Sequence, residues 1–139
     1  MALVQRLAAR APSESDVVFR AVDMLAAKGR LAAARELLTR GRPYLSLASQ
    51  RCFSFQREAS LYMQEERWGR AIEALQTASR IEPTRADLHY LLADLYERMG
   101  SLHAAVDEVR KGRVLDTPEG AKAQQPRLER LEARKSSGP

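Results

Sequence analysis

Few side chains in this sequence are of the kinds that do chemistry. The histidines are His89 and His103, and the one cysteine is Cys52. No histidine or cysteine pair among them has the short spacing at which metal ligands recur. Cys52 has no histidine nearby in sequence to help form a thiolate, so a buried or half-buried thiol rather than a nucleophile is expected. His89 falls within an apolar pattern and is expected to pack, whereas His103 is expected at an exposed helix start. The acidic pairs Glu65-Glu66 and Asp107-Glu108 are better explained as helix surface than as a catalytic dyad. No Gly-rich phosphate loop occurs. The sequence therefore gives no sign of an enzyme, a metal or a cofactor, and the chemistry left to it is recognition.

The elements that would carry recognition show themselves as a repeat. Ala59, Leu61, Tyr62, Ala71, Glu73, Ile81 and Glu82 recur as Ala93, Leu95, Tyr96, Ala105, Asp107, Leu115 and Asp116, each pair 34 residues apart. Within residues 52–85 apolar or small side chains fall at Phe55, Ala59, Leu61 and Tyr62, then at Trp68, Ala71, Ile72, Leu75, Ala78 and Ile81. Spacings of three and four mark two amphipathic helices. Glu65-Glu66-Arg67 separates them and Pro83 ends the second. Residues 86–118 repeat the design around a Met99-Gly100-Ser101 turn, where Gly100 suits a left-handed helix cap. Ala59, Ala71, Ala93 and Ala105 let the paired helices approach closely, with Tyr62 and Tyr96 as the large knobs beside them.

This pattern resembles the tetratricopeptide repeat (TPR), read here as Phe55, Ala59, Tyr62, Ala71, Leu75, Ala78, Pro83 and again as His89, Leu92, Ala93, Tyr96, Gly100, Ala105, Val109. The departures are Glu58 where Leu is usual, Gly112 where Ala is usual, and Thr117 where Pro is usual, with Pro118 one residue late. The resemblance implies an all-α fold of antiparallel helix pairs, a short right-handed TPR superhelix of about three repeats plus terminal helices. A weaker copy lies 37 residues upstream, where Leu25, Gly29, Leu31, Ala34 and Leu38 precede Tyr62, Glu66, Trp68, Ala71 and Leu75. Its three extra residues fit a longer connection through Gly41-Arg42-Pro43-Tyr44. A single domain over 1–135 is expected: an N-terminal helix at 2–12, repeats at 14–44, 46–84 and 85–118, and a capping helix at 119–135, with 136–139 a disordered tail. Residues 2–12 read as the second half of a repeat, an N-terminal cap or the cut edge of a longer array. Ser13 with Asp16 makes an approximate capping box for the next helix. Pro126 should kink the last helix or delay its start.

In TPR stacks the first helix of each pair lines a concave groove that holds partner segments. Carried over position by position, the resemblance places Asp16, Phe19 and Asp23, then Phe53, Gln56, Ser60, Met63 and Gln64, then Asp87, Tyr90, Asp94, Glu97 and Arg98 in that groove. Phe19, Phe53 and Tyr90 either cover neighbouring helices or anchor an apolar or amphipathic segment. Asp23, Asp94 and Glu97 would favour Lys or Arg on the partner. The groove lacks the Lys, Arg and Asn cluster with which some TPR proteins grip the acidic tails of heat-shock chaperones. The implied role is a protein-binding adaptor or scaffold for a helical or extended, partly basic segment. A small TPR chaperone for a secretion or assembly subunit is the same reading with a narrower partner, and open repeat ends offer a route to a homo-oligomer.

Bulk properties agree with a soluble helical protein. The chain has 139 residues, 45% of them hydrophobic and 29% charged, and no apolar stretch long enough to span a bilayer. A lone cysteine cannot form an internal disulfide, so a reducing, cytoplasmic setting is the simpler expectation. The net charge is +5, and arginine outnumbers lysine 19 to 4. These basic residues (Arg30, Arg35, Arg40, Arg67, Arg70, Arg110 and Lys111 among them) are scattered over second helices rather than run together. That argues against nucleic acid or anionic lipid as the ligand, while leaving a basic convex face as the alternative.

Overall fold

The computed structural model describes residues 15–137. The helix expected at 2–12 and the Ser13 half of the capping box lie outside the described residues. All regular structure among the described residues is helical: α1 Ser15–Ala27, α2 Leu31–Gly41, one 3-10 turn at Arg42–Tyr44, α3 Ala48–Gln64, α4 Trp68–Ile81, α5 Ala86–Arg98, α6 Leu102–Leu115, α7 Pro118–Ala123 and α8 Gln125–Ser137. The chain divides into two compact units, Met1–Ile81 and Glu82–Pro139.

In the first unit α1 pairs with α2 and α3 with α4, while α3 also contacts α1 and α2. Val18, Phe19 and Val22 of α1 meet Ala34, Leu37 and Leu38 of α2, with Leu45 and Leu61 closing the cluster. Between α3 and α4 the crossing is built from small residues: Ala59, Ala71, Ala74 and Ala78 are buried beside Leu75. Side chains this small bring the helix axes close and let Leu75 fill the remaining space. Cys52 is buried there too, its thiol donating to the Ala78 carbonyl at 3.4 Å.

The second unit repeats the pair as α5 and α6 and adds α7 and α8, both of which contact α6. Ala93, Ala105, Val106 and Val109 form a core with Leu128 and Leu131 of α8, flanked by Tyr96 and Leu102. The segment read as one helix over 119–135 is two. Thr117 caps α7, its hydroxyl accepting from the Gly120 amide at 3.1 Å, with Pro118 at the first helical position, which needs no N–H donor. Thr117 and the late Pro118 are thus a helix start rather than a defect of the repeat. The chain breaks at Gln124 and restarts with Pro126 in the first turn of α8. That helix continues through Ser137, so residues 136 and 137 are helical, in contrast to the tail expected; 138 and 139 lie outside the described residues.

Three turns, 37 and 34 residues apart, share one geometry. Gly29, Glu66 and Gly100 have φ of 76°, 58° and 77°. In each, the next residue's amide reaches back to a carbonyl five residues earlier: Arg30 to Leu25 at 2.9 Å, Arg67 to Tyr62 at 2.9 Å, Ser101 to Tyr96 at 2.8 Å. This is the Schellman closure, which satisfies the last carbonyls of a helix and needs a left-handed residue. Glycine supplies that freely in the first and third turns. Glu66 adopts it against the steric preference of an L side chain, at roughly 1 kcal/mol.

Candidate partner-binding faces

Each unit presents the face of its first helices, and the two differ in what remains open. In the first unit Phe19 is buried, 8% exposed, rather than offered to a ligand. It meets Phe53 edge-on, the ring centroids 4.8 Å apart and the planes at 89°. Phe53 is 37% exposed. The Arg57 guanidinium lies over the Phe53 ring, 4.8 Å from its centroid, and pairs with Asp23 at 3.3 Å. Phe53 is therefore an aromatic held between a buried ring and a stacked cation, with part of its surface open. Ser60 is exposed on the same helix, and Gln56 and Met63 are half-buried. Val17 and Met24 of α1 are also exposed, a helical period of seven apart.

The other side of α3 is polar and closed by arginines. Arg42 stacks on Phe55 at 3.8 Å and donates to Ser54 Oγ at 2.8 Å and to Glu58 at 3.0 Å. Arg35 and Arg67 flank Tyr62 at 4.9 and 5.0 Å from its ring centre, and Arg35 pairs with Glu65. Between α3 and α4 lies a shallow cleft of about 190 Å³, lined by Phe55, Glu58, Tyr62, Arg70, Glu73, Ala74 and Thr77.

In the second unit the expected site residues are engaged by the chain itself. Tyr90 donates its hydroxyl to Asp116 at 2.8 Å, and its ring lies where a side chain on Gly112 would go. It covers a neighbouring helix, the structural alternative for this residue. Burial first, then the hydrogen bond to Asp116, push its phenol up from 10.0 to about 12. Asp94 pairs with Arg127, which also donates to the Tyr90 carbonyl at 3.2 Å. Glu97 accepts from Arg130 at 2.6 Å and from Arg134 at 2.7 Å. The Arg130 hydrogen bond is the main reason its carboxyl lies below the ordinary glutamate value; burial opposes the shift and the nearby arginine charges add to it. Arg98 is exposed at the end of α5.

Asp23, Asp94 and Glu97, expected to favour a basic partner, are occupied within the chain. Each already holds an arginine of its own unit, so none is an uncompensated charge facing solvent. Several basic residues on or beside the second helices are balanced in the same way. Arg40 pairs with Glu36, Arg67 with Glu65, Arg70 with Glu73, Arg110 with Glu132 and Lys111 with Glu108. Glu108 is not surface, as expected of the Asp107-Glu108 pair: it is buried and bound to His89 Nδ1 at 2.7 Å. Sequence reasoning missed Arg57 and the α8 arginines. Arg127, Arg130 and Arg134 recur at three and four, the signal of one helix face, but their carboxylates lie 33 and 37 residues away.

Tyr90 offers a direct check. Ordinary tyrosines ionise near 10, and this chain has four. Tyr90 is expected to ionise late, near pH 12, in an ultraviolet absorbance titration, and Tyr90→Phe is expected to remove that component. Because the folded value is raised, Tyr90 favours folding fully below pH 10, and that contribution is lost as pH rises through the folded value. A titration near pH 12 that Tyr90→Phe leaves unchanged would show the phenol to be solvated.

Residues 59–100 match a family model described as TPR repeat. This stretch of the chain is a tetratricopeptide repeat. The TPR-like fold extends over most of the chain. A crystal structure of a T3SS complex from Aeromonas hydrophila is similar with a TM-score of 0.73 at 13% identity, over 92% of this chain and 87% of that one. A crystal structure of PcrH in complex with the chaperone binding region of PopD is similar with a TM-score of 0.71 at 14% identity, over 90% and 96%. A crystal structure of MamA is similar with a TM-score of 0.59 at 16% identity, over 88% and 81%. At these identities the similarity is one of fold. No curated protein sequence matches the chain. Among the described residues no helix is long and apolar enough to cross a membrane, and no group of three or more His, Cys, Asp or Glu could hold a metal ion.

Proposed function

We propose that this chain is a non-enzymatic protein-interaction adaptor that takes a segment of another protein on the first-helix face of its α1–α4 unit, with Phe53 as the central anchor. The observation that carries this is the partly exposed Phe53 ring, fixed by Phe19 and Arg57 before any partner arrives. A preorganised aromatic loses little side-chain entropy on binding, and such residues dominate interface energetics. Gln56, Ser60 and Met63 would border it, offering polar contacts and an adaptable apolar neighbour. With Asp23 already satisfied by Arg57, apolar burial rather than charge would choose the segment.

A narrower form of the reading is a chaperone that holds one subunit of a secretion or assembly system. PcrH, similar in fold over 90% of this chain, is seen with the chaperone binding region of PopD, and that supports a bound segment as the mode of action. The two forms use the same face and differ in the partner.

The test is affinity capture from lysate of the source cells at low and high salt, with the unaltered chain beside Phe53→Ala and Ser60→Arg. Loss of a central aromatic anchor is expected to weaken binding by about 2 kcal/mol, roughly 30-fold. Ser60→Arg is expected to block the face while leaving the circular dichroism unchanged, since Ser60 is exposed. A protein retained by the unaltered chain at high salt and lost from both variants supports the adaptor. Nucleic acid or lipid captured only at low salt, and equally by all three, would place binding on the arginine-rich surface instead.

A further inference from the structure

α8 is anchored unlike the other long helices of the second unit. It buries only Leu128 and Leu131, whereas α5 buries four residues and α6 five. Its remaining attachments are polar: the ion pairs of Arg127 with Asp94, Arg130 and Arg134 with Glu97, and Glu132 with Arg110, and the hydrogen bond from Arg127 to the Tyr90 carbonyl. Arg130 and Arg134 are about half exposed, at 51% and 48%, so solvent and salt reach these pairs. The helix is set off from α7 by the break at Gln124. Beneath it lie Ala93 of α5 and Ala105, Val106 and Val109 of α6, all fully buried by its two leucines and their neighbours.

We propose that α8 is a releasable strap, a basic amphipathic helix held across the α5/α6 seam in cis, and that its release opens that seam to a partner helix of the same chemistry. The seated helix defines that chemistry: two leucines three apart for the seam, and arginines at three- and four-residue spacing for Asp94 and Glu97. The carboxylates that are closed in the free chain are then the ones a basic partner helix would use. This goes beyond the adaptor reading, which concerns the first unit and stands or falls on Phe53 and Ser60.

The experiment uses the full chain. Amide hydrogen exchange of the unaltered protein is followed at low and at molar salt. The expected result is faster exchange across residues 125–137 at high salt, with α5 and the first turns of α6 unchanged. The second arm compares the unaltered chain with the combined variant Arg127→Gln, Arg130→Gln, Arg134→Gln for binding of a labelled synthetic peptide of residues 125–137. The variant is expected to bind the peptide at least about tenfold more tightly, because its seam is open a larger fraction of the time. Adding Asp94→Asn and Glu97→Gln to the variant is expected to abolish that gain. If α8 and α6 exchange together under both salts, or the variant loses α5 and α6 along with α8, the helix is an inseparable part of the core and the proposal is overturned. Equal, negligible peptide binding to both chains overturns it as well.

Discussion

Replacing Glu58 by Leu, the residue usual at that position of the TPR pattern, is expected to destabilise the first unit by about 2 kcal/mol, and adding Arg42→Met is expected to recover most of the loss. The reason is the arginine left behind. Arg42 is only 16% exposed and Glu58 17%. Its guanidinium stacks on Phe55 and donates to both Ser54 and Glu58. Removing one partner of a largely buried pair strands the other charge, which costs more than the pair itself contributes. Removing both leaves an apolar pair that can pack on Phe55. Ser54 tolerates this because its hydroxyl still donates to the Arg51 carbonyl at 2.7 Å. Trp68, the one tryptophan, begins α4 and reports unfolding of this unit in urea titrations of the four chains in the cycle. A neutral effect of Glu58→Leu alone would show that Arg42 finds water instead, and the pair would then be a surface contact.

That pair also shows how much a single sequence discloses. The helix pairs, their turns and the small crossing residues were legible because they are local: a period of three and four, a left-handed position, an alanine where two helices touch. Glu58 was legible only as a departure, since its explanation lies on another helix, 16 residues away at Arg42. Phe19 and Phe53 fall on one stripe by period, yet α3 packs on α1 so that one ring ends beneath the other. Helical phase gives direction but not depth. The same limit applies to Asp94 and Glu97, which read as open carboxylates until α8 brings three arginines to them. Division into two units and the break at Gln124 likewise depend on packing between elements, which no window of sequence contains.

The other departure, Gly112, makes a prediction whose sign changes with its partner. Restoring the usual residue, Gly112→Ala, normally strengthens a helix by about 1 kcal/mol. Here an added Cβ would sit 2.5 Å from Tyr90 Cε1 and 2.9 Å from Cδ1, well inside contact distance. The ring cannot swing away freely, because its hydroxyl is tied to Asp116 and the Arg127 guanidinium holds the Tyr90 carbonyl. Overpacking of this kind costs about 1–3 kcal/mol, so Gly112→Ala is expected to destabilise the second unit on balance. In a Tyr90→Ala background the ring is gone, the methyl group fills part of the space, and the same Gly112→Ala change is expected to stabilise by about 1 kcal/mol. Urea denaturation of the four chains, followed by circular dichroism, gives the coupling directly. Opposite signs in the two backgrounds mean that Tyr90 is a packing element which made the glycine necessary. Stabilisation in both would mean that the ring yields, and Tyr90 would return to the list of residues free to meet a partner.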